Sequence, residues 1–136
     1  MLDRARIGRY TQLEITRGLP APLLAKYFWR DGPDWVVRDE IRTMVEFRQL
    51  NLAERWPALP PMDLVLMRNV LIYFGVEMKK ASLRRVRQVL RPDGYLLLGG
   101  AETLLALDDA FEREPVERAV FYRLSGVGTG RARVEV

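Results

Sequence analysis

The order of three segments in the second half of the chain constrains its fold more than any other feature. Residues 62–67 are an apolar run, residues 76–90 carry apolar side chains at helical spacing, and residues 95–100 are a second apolar run. A strand, a helix of about four turns and another strand, in that order, form a βαβ unit whose strands lie parallel. The sequence therefore predicts an α/β fold around a parallel sheet, with the helix ending at Pro92-Asp93-Gly94.

Length and composition limit the chemistry that the chain can perform. Its 136 residues, 49% of them hydrophobic, are sufficient for one domain with its own core. The sequence has no cysteine and no histidine, which excludes a disulfide framework, a thiolate metal site and any mechanism that uses histidine as the base. A catalytic site here would depend on carboxylates, Lys, Arg, Tyr, amides and a cofactor.

Charge and hydropathy bear on partners and location. The net charge is +4, but 18 acidic residues are mixed with 22 basic ones, so we predict no nucleic-acid partner. No apolar run reaches the roughly 20 residues that span a bilayer, and residues 1–4 lack the apolar character of a signal peptide. We therefore expect a cytoplasmic protein without membrane insertion.

The rest of the chain predicts smaller elements. Residues 26–29 and 35–38 are aromatic and β-branched runs on either side of a turn that contains Gly and Asp, and they predict a β-hairpin. Alternating apolar residues over 43–48 predict a strand that continues to residue 52. The other predictions are a helix over 2–7, a turn-rich connector over 8–20, a helical turn over 21–25, a loop over 53–61, an acidic mixed segment over 111–118, a strand over 119–124 and a disordered tail over 125–136.

A polar pair after the first apolar run is the clearest candidate site. Arg68 and Asn69 follow that run directly, in a stretch that reads as buried, where such groups cost free energy unless they are paired. Open α/β sheets bind their ligands at the carboxyl ends of the strands. We therefore predict a site that includes Arg68, Asn69 and Tyr73. A structural ion pair with Asp63 or Glu102 is the alternative.

Other features add to this site or have simpler explanations. Asn51 ends another predicted strand, where its amide can contact the edge of a purine or hold a turn. The pair Gly99-Gly100 favours a tight turn over a phosphate loop, and the glycines of residues 126–130 favour tail flexibility. A solvated helix face is the favoured explanation for a set of basic residues, Lys80, Arg84, Arg87 and Arg91. Cross-strand packing is the favoured explanation for a set of aromatic residues, Tyr27, Phe28, Trp29 and Trp35.

Short motifs between about residue 2 and residue 124 occur together, in this order, in one known family. They are Gly8-x-Tyr10, Arg17-Gly18-Leu19-Pro20, Tyr27-Phe28, Phe47-x-x-Leu50-Asn51-Leu52, Asp63-Leu64-Val65, Arg68-Asn69-Val70-Leu71-Ile72-Tyr73-Phe74, Leu90-Arg91-Pro92-Asp93-Gly94-Tyr95 and Gly99-x-x-Glu102. With these motifs the chain strongly resembles the CheR-type chemotaxis methyltransferases, which transfer the methyl group of S-adenosylmethionine to glutamate side chains of chemoreceptors. The resemblance implies a partial Rossmann-like S-adenosylmethionine-dependent methyltransferase fold with a small antiparallel β-subdomain.

The resemblance also implies roles for individual residues. The pairs Asn51-Leu52 and Arg68-Asn69 match residues that contact the cofactor, and Tyr73 matches a tyrosine beside the departing methyl group. Arg68 is expected to steer the substrate carboxylate through charge-assisted hydrogen bonds. The implied cofactor is S-adenosylmethionine, and the implied partner is the cytoplasmic region of a chemoreceptor.

The resemblance covers only part of the family's pattern. Residues 1–124 resemble the C-terminal part of the catalytic domain, with the β-subdomain at about residues 25–46, and nothing here resembles the family's N-terminal helical domain or its glycine-rich cofactor loop. We therefore expect weak or undetectable binding of S-adenosylmethionine by this chain alone, and weak or no activity. We also expect an unpaired edge on the strand over 62–67, which favours a homodimer or strand exchange.

Two other functions stay open at the level of the sequence. One is a non-catalytic binding module that uses the basic helix or the aromatic hairpin to hold a peptide or nucleic acid. The other is methyl transfer to a different acceptor, either another protein or a small carboxylate.

Overall fold

A computed structural model describes residues 1–117 and 119–126, which divide after Leu50 into two compact units. The first unit contains short helices and strands: α1 (Leu2–Ile7), β1 (Arg9–Thr11), α2 (Gln12–Thr16), α3 (Ala21–Tyr27), β2 (Phe28–Asp31), β3 (Asp34–Val37) and α4 (Asp39–Arg42). The second contains β4 (Met62–Met67), a 3-10 helix (Leu71–Tyr73), α5 (Val76–Val89), β5 (Leu90–Leu98), β6 (Phe111–Val116) and β7 (Ala119–Leu124). Most of the predicted disordered tail, from residue 127 onward, lies outside the described residues.

The first unit is built on a three-stranded antiparallel sheet in the order β1-β3-β2. The predicted hairpin is confirmed as β2 and β3, although Lys26 and Tyr27 belong to α3 instead of the first strand. The prediction of a connector over 8–20 is wrong, because this segment contains β1 and α2. Its Thr11 and Glu14 form a capping box at the start of α2, so the polar residues that suggested turns begin a helix.

The predicted strand over 43–52 is also wrong. Thr43 and Met44 follow α4 in a turn, and residues 45–50 belong to no regular element. An alternating pattern sets which side chains share a face, but a strand exists only where a neighbouring strand takes up its backbone hydrogen bonds. Met44 and Val45 are 79% and 51% exposed, so the apolar positions of this segment do not form a buried face.

The second unit confirms the predicted βαβ arrangement and its α/β class. Its sheet has the order β4-β5-β7-β6, with β4 and β5 parallel and the other neighbours antiparallel. The helix α5 connects the two parallel strands, as the periodicity predicts. The helix ends at Val89, whereas residues 92–94, where its end is predicted, belong to β5. This strand starts directly after the helix and pairs irregularly with β4 between Met62 and Leu64.

The acidic mixed segment over 111–118 provides a strand that the sequence does not predict. Phe111–Val116 forms β6 and pairs with β7, which confirms the predicted strand over 119–124. Glu112 and Glu114 lie across the hairpin from Arg123, with nitrogen–oxygen distances of 3.7 and 3.3 Å. Cross-strand ion pairs of this kind stabilise a strand whose own composition is too charged to suggest one.

The core of the second unit lies between α5 and one face of the sheet. Its fully buried members are Leu71, Leu83, Val86 and Leu96, and Met67, Leu90, Leu98, Leu104, Phe111 and Tyr122 complete it. The opposite face of β4 is exposed, with Leu64 at 48% and Leu66 at 64%. Among the described residues, no helix is long and apolar enough to cross a membrane.

Candidate functional site

The loop that follows β4 carries three of the predicted site residues. Arg68 and Asn69 come directly after the strand, and Tyr73 ends the 3-10 helix Leu71–Tyr73. Asn69 has a left-handed backbone with φ of 58°, a conformation that asparagine adopts more readily than most residues. This left-handed residue turns the chain at the carboxyl end of β4, where α/β sheets bind ligands.

The assumption that this stretch is buried is wrong. Arg68 and Asn69 are exposed, and Tyr73 is 81% exposed, whereas Leu71 between them is only 2% exposed. Leu71 therefore anchors the loop in the core while its polar residues face outward. Polar side chains at these exposed positions need no buried partner.

The alternative of an ion pair for Arg68 is not supported. Asp63 pairs with Arg91 at 2.9 Å, and Glu102 binds backbone N–H groups. Among the described residues, Arg68 forms no salt bridge. Its guanidinium is therefore available to an anion from outside the part of the chain that the structure describes.

The carboxylate of Glu102 determines the shape of the loop. Its Oε2 accepts the N–H groups of Asn69 and Gly99 at 2.8 and 2.7 Å. Its Oε1 accepts the N–H groups of the next three residues, Val70, Leu71 and Ile72, at 2.9, 2.7 and 3.3 Å. One side chain thus ties the loop after β4 to the loop after β5.

These contacts also set the ionisation of Glu102. Partial burial acts to raise the pKa of this carboxyl group, but hydrogen bonds from Gly99, Asn69, Ile72 and Leu71 act in the opposite direction and prevail. The pKa of Glu102 is therefore lowered from its ordinary value, and the group is an anion at neutral pH.

At Gly99, a larger residue would force one of the two loops to move. A Cβ at this position would be 2.8 Å from Oε2 of Glu102 and 2.9 Å from the backbone nitrogen of Asn69. The N–H of Glu102 in turn donates to the Gly99 carbonyl at 2.9 Å. The prediction of a tight turn at Gly99-Gly100 is confirmed, and the close approach of the two loops explains the first glycine.

A cavity of about 530 Å³ opens beside these two loops. Two arginines, Arg68 and Arg113, lie in its wall. The other lining residues combine apolar surface with the Gly99 turn: Leu97, Leu98, Gly99, Gly100, Ala101, Glu102, Thr103, Ala119, Val120 and Tyr122. The cavity is large enough for a small-molecule ligand, and its cationic side chains favour one that carries a negative charge.

The predicted pair Asn51-Leu52 lies in a separate turn. The Asn51 side chain donates to Oε1 of Glu54 at 2.8 Å and accepts the N–H of Ala53 at 3.0 Å. The Leu52 carbonyl accepts from Nη1 of Arg85 at 3.0 Å. Asn51 therefore holds this turn in the structure, and its contact with the edge of a purine stays a prediction.

Some members of the basic and aromatic sets have structural roles. Arg87 lies 3.5 Å from Asp108, and Arg91 belongs to β5, so the four basic residues do not share one helix face as predicted. In the first unit, Tyr10 packs edge-on against Phe28 with 6.3 Å between ring centroids. The indole N–H of Trp35 donates to Gln12 at 2.8 Å.

Sequence reasoning missed the role of Glu102 and did not consider Arg113. The sequence identifies Glu102 as a possible partner of Arg68 and as part of the Gly99-x-x-Glu102 motif, but not as an acceptor of backbone N–H groups. Four of its five N–H donors lie 30 to 33 residues away in the chain, a separation at which no local pattern indicates a contact. Arg113 belongs to β6, the strand that the sequence does not predict.

The second unit is an α/β fold with a candidate ligand loop at the carboxyl end of a parallel strand. Residues 1–120 match the family described as CheR methyltransferase, SAM binding domain. The chain belongs to this family, so the predicted family and its cofactor, S-adenosylmethionine, are confirmed.

Curated relatives support the same assignment. The chain is 42% identical over 124 residues to chemotaxis protein methyltransferase 1 of Pseudomonas aeruginosa, an alignment that covers 90% of this chain and 45% of that protein. It is 40% identical over 126 residues to chemotaxis protein methyltransferase 1 of Vibrio cholerae, covering 91% and 46%. For the chemotaxis protein methyltransferase of Escherichia coli the identity is 36% over 116 residues, covering 82% and 40%. The chain thus spans less than half the length of these relatives.

The residues of the second unit fit part of such a cofactor. Arg68 supplies a cation for a carboxylate, and Leu98, Val120 and Tyr122 supply apolar surface in the same cavity. The N–H groups of residues 69–72 are already bonded to Glu102. A ligand at this loop is therefore contacted mainly by side chains and not by backbone amides.

Proposed function

We propose that this chain forms part of an S-adenosylmethionine-dependent methyltransferase that acts on glutamate side chains of chemoreceptors. The observation that carries the proposal is the exposed loop from Arg68 to Tyr73, which is held at the carboxyl end of β4 beside a cavity lined by arginine. The names of the relatives place them in chemotaxis as methyltransferases. The cytoplasm, where the signalling region of a chemoreceptor lies, is the proposed location.

The proposed reaction suits the residues that the chain contains. S-adenosylmethionine, when bound, supplies an electrophilic methyl group. A glutamate acceptor has an ordinary pKa of about 4.3 and is already an anion at neutral pH, so its carboxylate needs no general base. A chain without histidine is compatible with this chemistry.

The chain's own residues then serve to bind and orient. We assign cofactor contacts to Asn51, Leu52, Arg68 and Asn69, and Arg68 also attracts the acceptor carboxylate. Tyr73 shapes the methyl pocket. Holding two reactants in near-attack geometry can lower a barrier by roughly 7 to 11 kcal/mol, so orientation alone accounts for a large rate enhancement.

The domain boundaries belong to the same proposal. We assign residues 1–124 to the catalytic domain, with a β-subdomain at about residues 25–46. The three-stranded sheet of the first unit supports the subdomain and also includes β1. The packing roles of Tyr10, Phe28 and Trp35 give no specific support to a module that binds peptide or nucleic acid.

Transfer of label from methyl-labelled S-adenosylmethionine to the cytoplasmic region of a chemoreceptor tests the proposed function. We expect Arg68→Ala to lower kcat/KM about ten- to a hundredfold, because a hydrogen bond to a charged group contributes roughly 1.5–3 kcal/mol. Arg84→Ala on the exposed side of α5 is the matched control and should behave like the unchanged protein. Label that reaches the receptor equally well with Arg68→Ala would contradict the assignment.

Calorimetry of this 136-residue chain with S-adenosylmethionine tests the expected weak binding. The described part of the site provides contacts from one loop and one turn, so we expect no affinity in the micromolar range. A measured micromolar affinity would show that these residues suffice for cofactor binding.

A further inference from the structure

The Glu102 carboxylate accepts hydrogen bonds from both loops of the candidate site, and the proposed reaction gives it no role. It accepts backbone N–H groups from residues 69–72 and from Gly99. A carboxylate has about four lone-pair directions, so five donors leave it without capacity for another strong contact. Glu102 is thus committed to the protein backbone and does not bind a ligand directly.

The loop needs such a partner in order to keep its shape. Asn69 has a left-handed backbone, which costs free energy in a residue other than glycine unless the surroundings maintain it. The N–H groups that follow open the 3-10 helix Leu71–Tyr73, and the first N–H groups of a helix have no partner within it. The carboxylate of Glu102 satisfies both requirements with one side chain.

The loop backbone in turn sets the direction of the site residues. Among the described residues, the side chains of Arg68 and Tyr73 form no hydrogen bond, and Tyr73 is 81% exposed. Their direction therefore depends on the backbone from which they project. A shift of about 1 Å in such a group can change a rate on the order of a hundredfold.

We propose that Glu102 is a positioning residue whose carboxylate holds residues 68–73 in the conformation that presents Arg68, Asn69 and Tyr73 to cofactor and substrate. The consequence for catalysis rests on the proposed function, whereas the hold on the loop does not. The inference also explains why a glycine three residues before Glu102 faces the same loop. Gly99 admits the carboxylate and donates one of the five bonds.

Proton NMR of the backbone amides tests the hold on the loop without any cofactor. As the pH is lowered, we expect the amide protons of residues 69–72 and of Gly99 to shift together, with one midpoint below the ordinary glutamate value of about 4.3. The Glu102 carboxylate accepts all of these N–H groups, so a shared midpoint reports its protonation. Amide protons that titrate independently or not at all would overturn the proposal.

Variants of the protein test the consequence for the site. Glu102→Gln replaces one acceptor oxygen with an NH₂ group that faces N–H donors, and we expect kcat/KM for methyl transfer to fall on the order of a hundredfold. Glu102→Asp keeps the charge and should recover part of this loss. Glu77→Gln, an exposed acid in the first turn of α5, is the matched control and should leave the kinetics unchanged.

The kinetic constants distinguish positioning from a general structural role. If Glu102 only stabilises the fold, Glu102→Gln lowers the Tm but leaves kcat and KM of the folded protein unchanged, and the proposal is overturned. If the unchanged chain transfers no methyl group, as weak cofactor binding by this chain alone predicts, there are no rates to compare, and the NMR titration alone decides whether Glu102 holds the loop.

Discussion

Single residues at the junction of two loops decide the geometry of this site. Glu102 gathers N–H donors from both loops, and Gly99 leaves the space in which they meet. Either contribution depends on groups that are far apart in sequence. Substitutions at these two positions should therefore change the stability of the protein in ways that the neighbouring sequence does not indicate.

A methyl group added at Gly99 should destabilise the protein. In Gly99→Ala the new Cβ would lie 2.9 Å from the Asn69 backbone nitrogen, so one loop must move, and overpacking of this kind costs about 1–3 kcal/mol. Chemical denaturation measures the loss in the free energy of unfolding. Gly100→Ala is the matched control, because a Cβ there meets nothing within 4 Å. Equal stability of the two variants would contradict the close approach.

The lowered pKa of Glu102 predicts a contribution to acid stability. Because the folded-state pKa lies below the unfolded value, the unfolded chain binds the proton more readily in acid. The stabilisation is therefore complete above the ordinary value of about 4.3 and disappears as the pH falls through the folded-state pKa. The difference in unfolding free energy between the unchanged protein and Glu102→Gln should shrink over this range.

Two other carboxylates titrate in the same region and provide the control. The pKa of Glu14 is lowered by hydrogen bonds from Thr11, and that of Glu46 by its hydrogen bond with Arg48. Both groups are exposed, where such contacts contribute little to stability. Glu46→Gln should therefore leave the acid limb of the stability curve nearly unchanged, and a larger effect there than at Glu102 would contradict the prediction.

At the level of elements, α5 and the loop before it are stabilised by one common core. Leu83 and Val86 on the helix and Leu71 on the loop are all nearly inaccessible to solvent. The helix therefore buries its apolar face against the sheet and supports the loop that carries Arg68 and Tyr73. The βαβ unit positions the site through this packing.

Truncation of the helix core should lower stability without changing the charge of the site. We expect Leu83→Ala to reduce the free energy of unfolding by about 2–5 kcal/mol, since it removes buried methyl groups and leaves a cavity. Gln88→Ala on the exposed face of α5 should be almost neutral. Thermal and chemical unfolding followed by circular dichroism measures both, and a loss below 1 kcal/mol for Leu83→Ala would show that the core relaxes around the gap.

At the level of the whole molecule, the sheet of the second unit ends at β4. This strand pairs only with β5 among the described strands, and its exposed face carries Leu64 and Leu66. An edge with unpaired backbone groups and apolar side chains favours pairing with another chain. We therefore propose that a second copy associates through β4, by edge pairing or by strand exchange.

A charge on this strand should weaken such association. We expect Leu66→Lys to shift a concentration-dependent dimer toward monomer in light scattering, because a lysine on an edge strand opposes pairing. Val116→Lys on β6, the other outer strand of the sheet, is the control and should leave the equilibrium unchanged. A clean monomer at high concentration in the unchanged chain would exclude association through β4.

The sequence by itself determined the parts of this protein that depend on neighbours in the chain. Periodicity identified α5 and the two strands that it connects, and aromatic runs identified the hairpin β2–β3, because helical and strand spacing are local properties. The position of Arg68 and Asn69 after an apolar strand was sufficient to place the candidate loop. Their expected burial was wrong, since exposure depends on what packs against the strand.

Only the tertiary structure decided the parts that depend on distant partners. Alternation over 43–52 did not produce a strand, while the charged segment Phe111–Val116 did, because a strand forms where a neighbour completes its hydrogen bonds. The role of Glu102 likewise follows from N–H groups about 30 residues earlier in the chain. Local patterns carry no information about such contacts, which arise when the two loops meet at the end of the sheet.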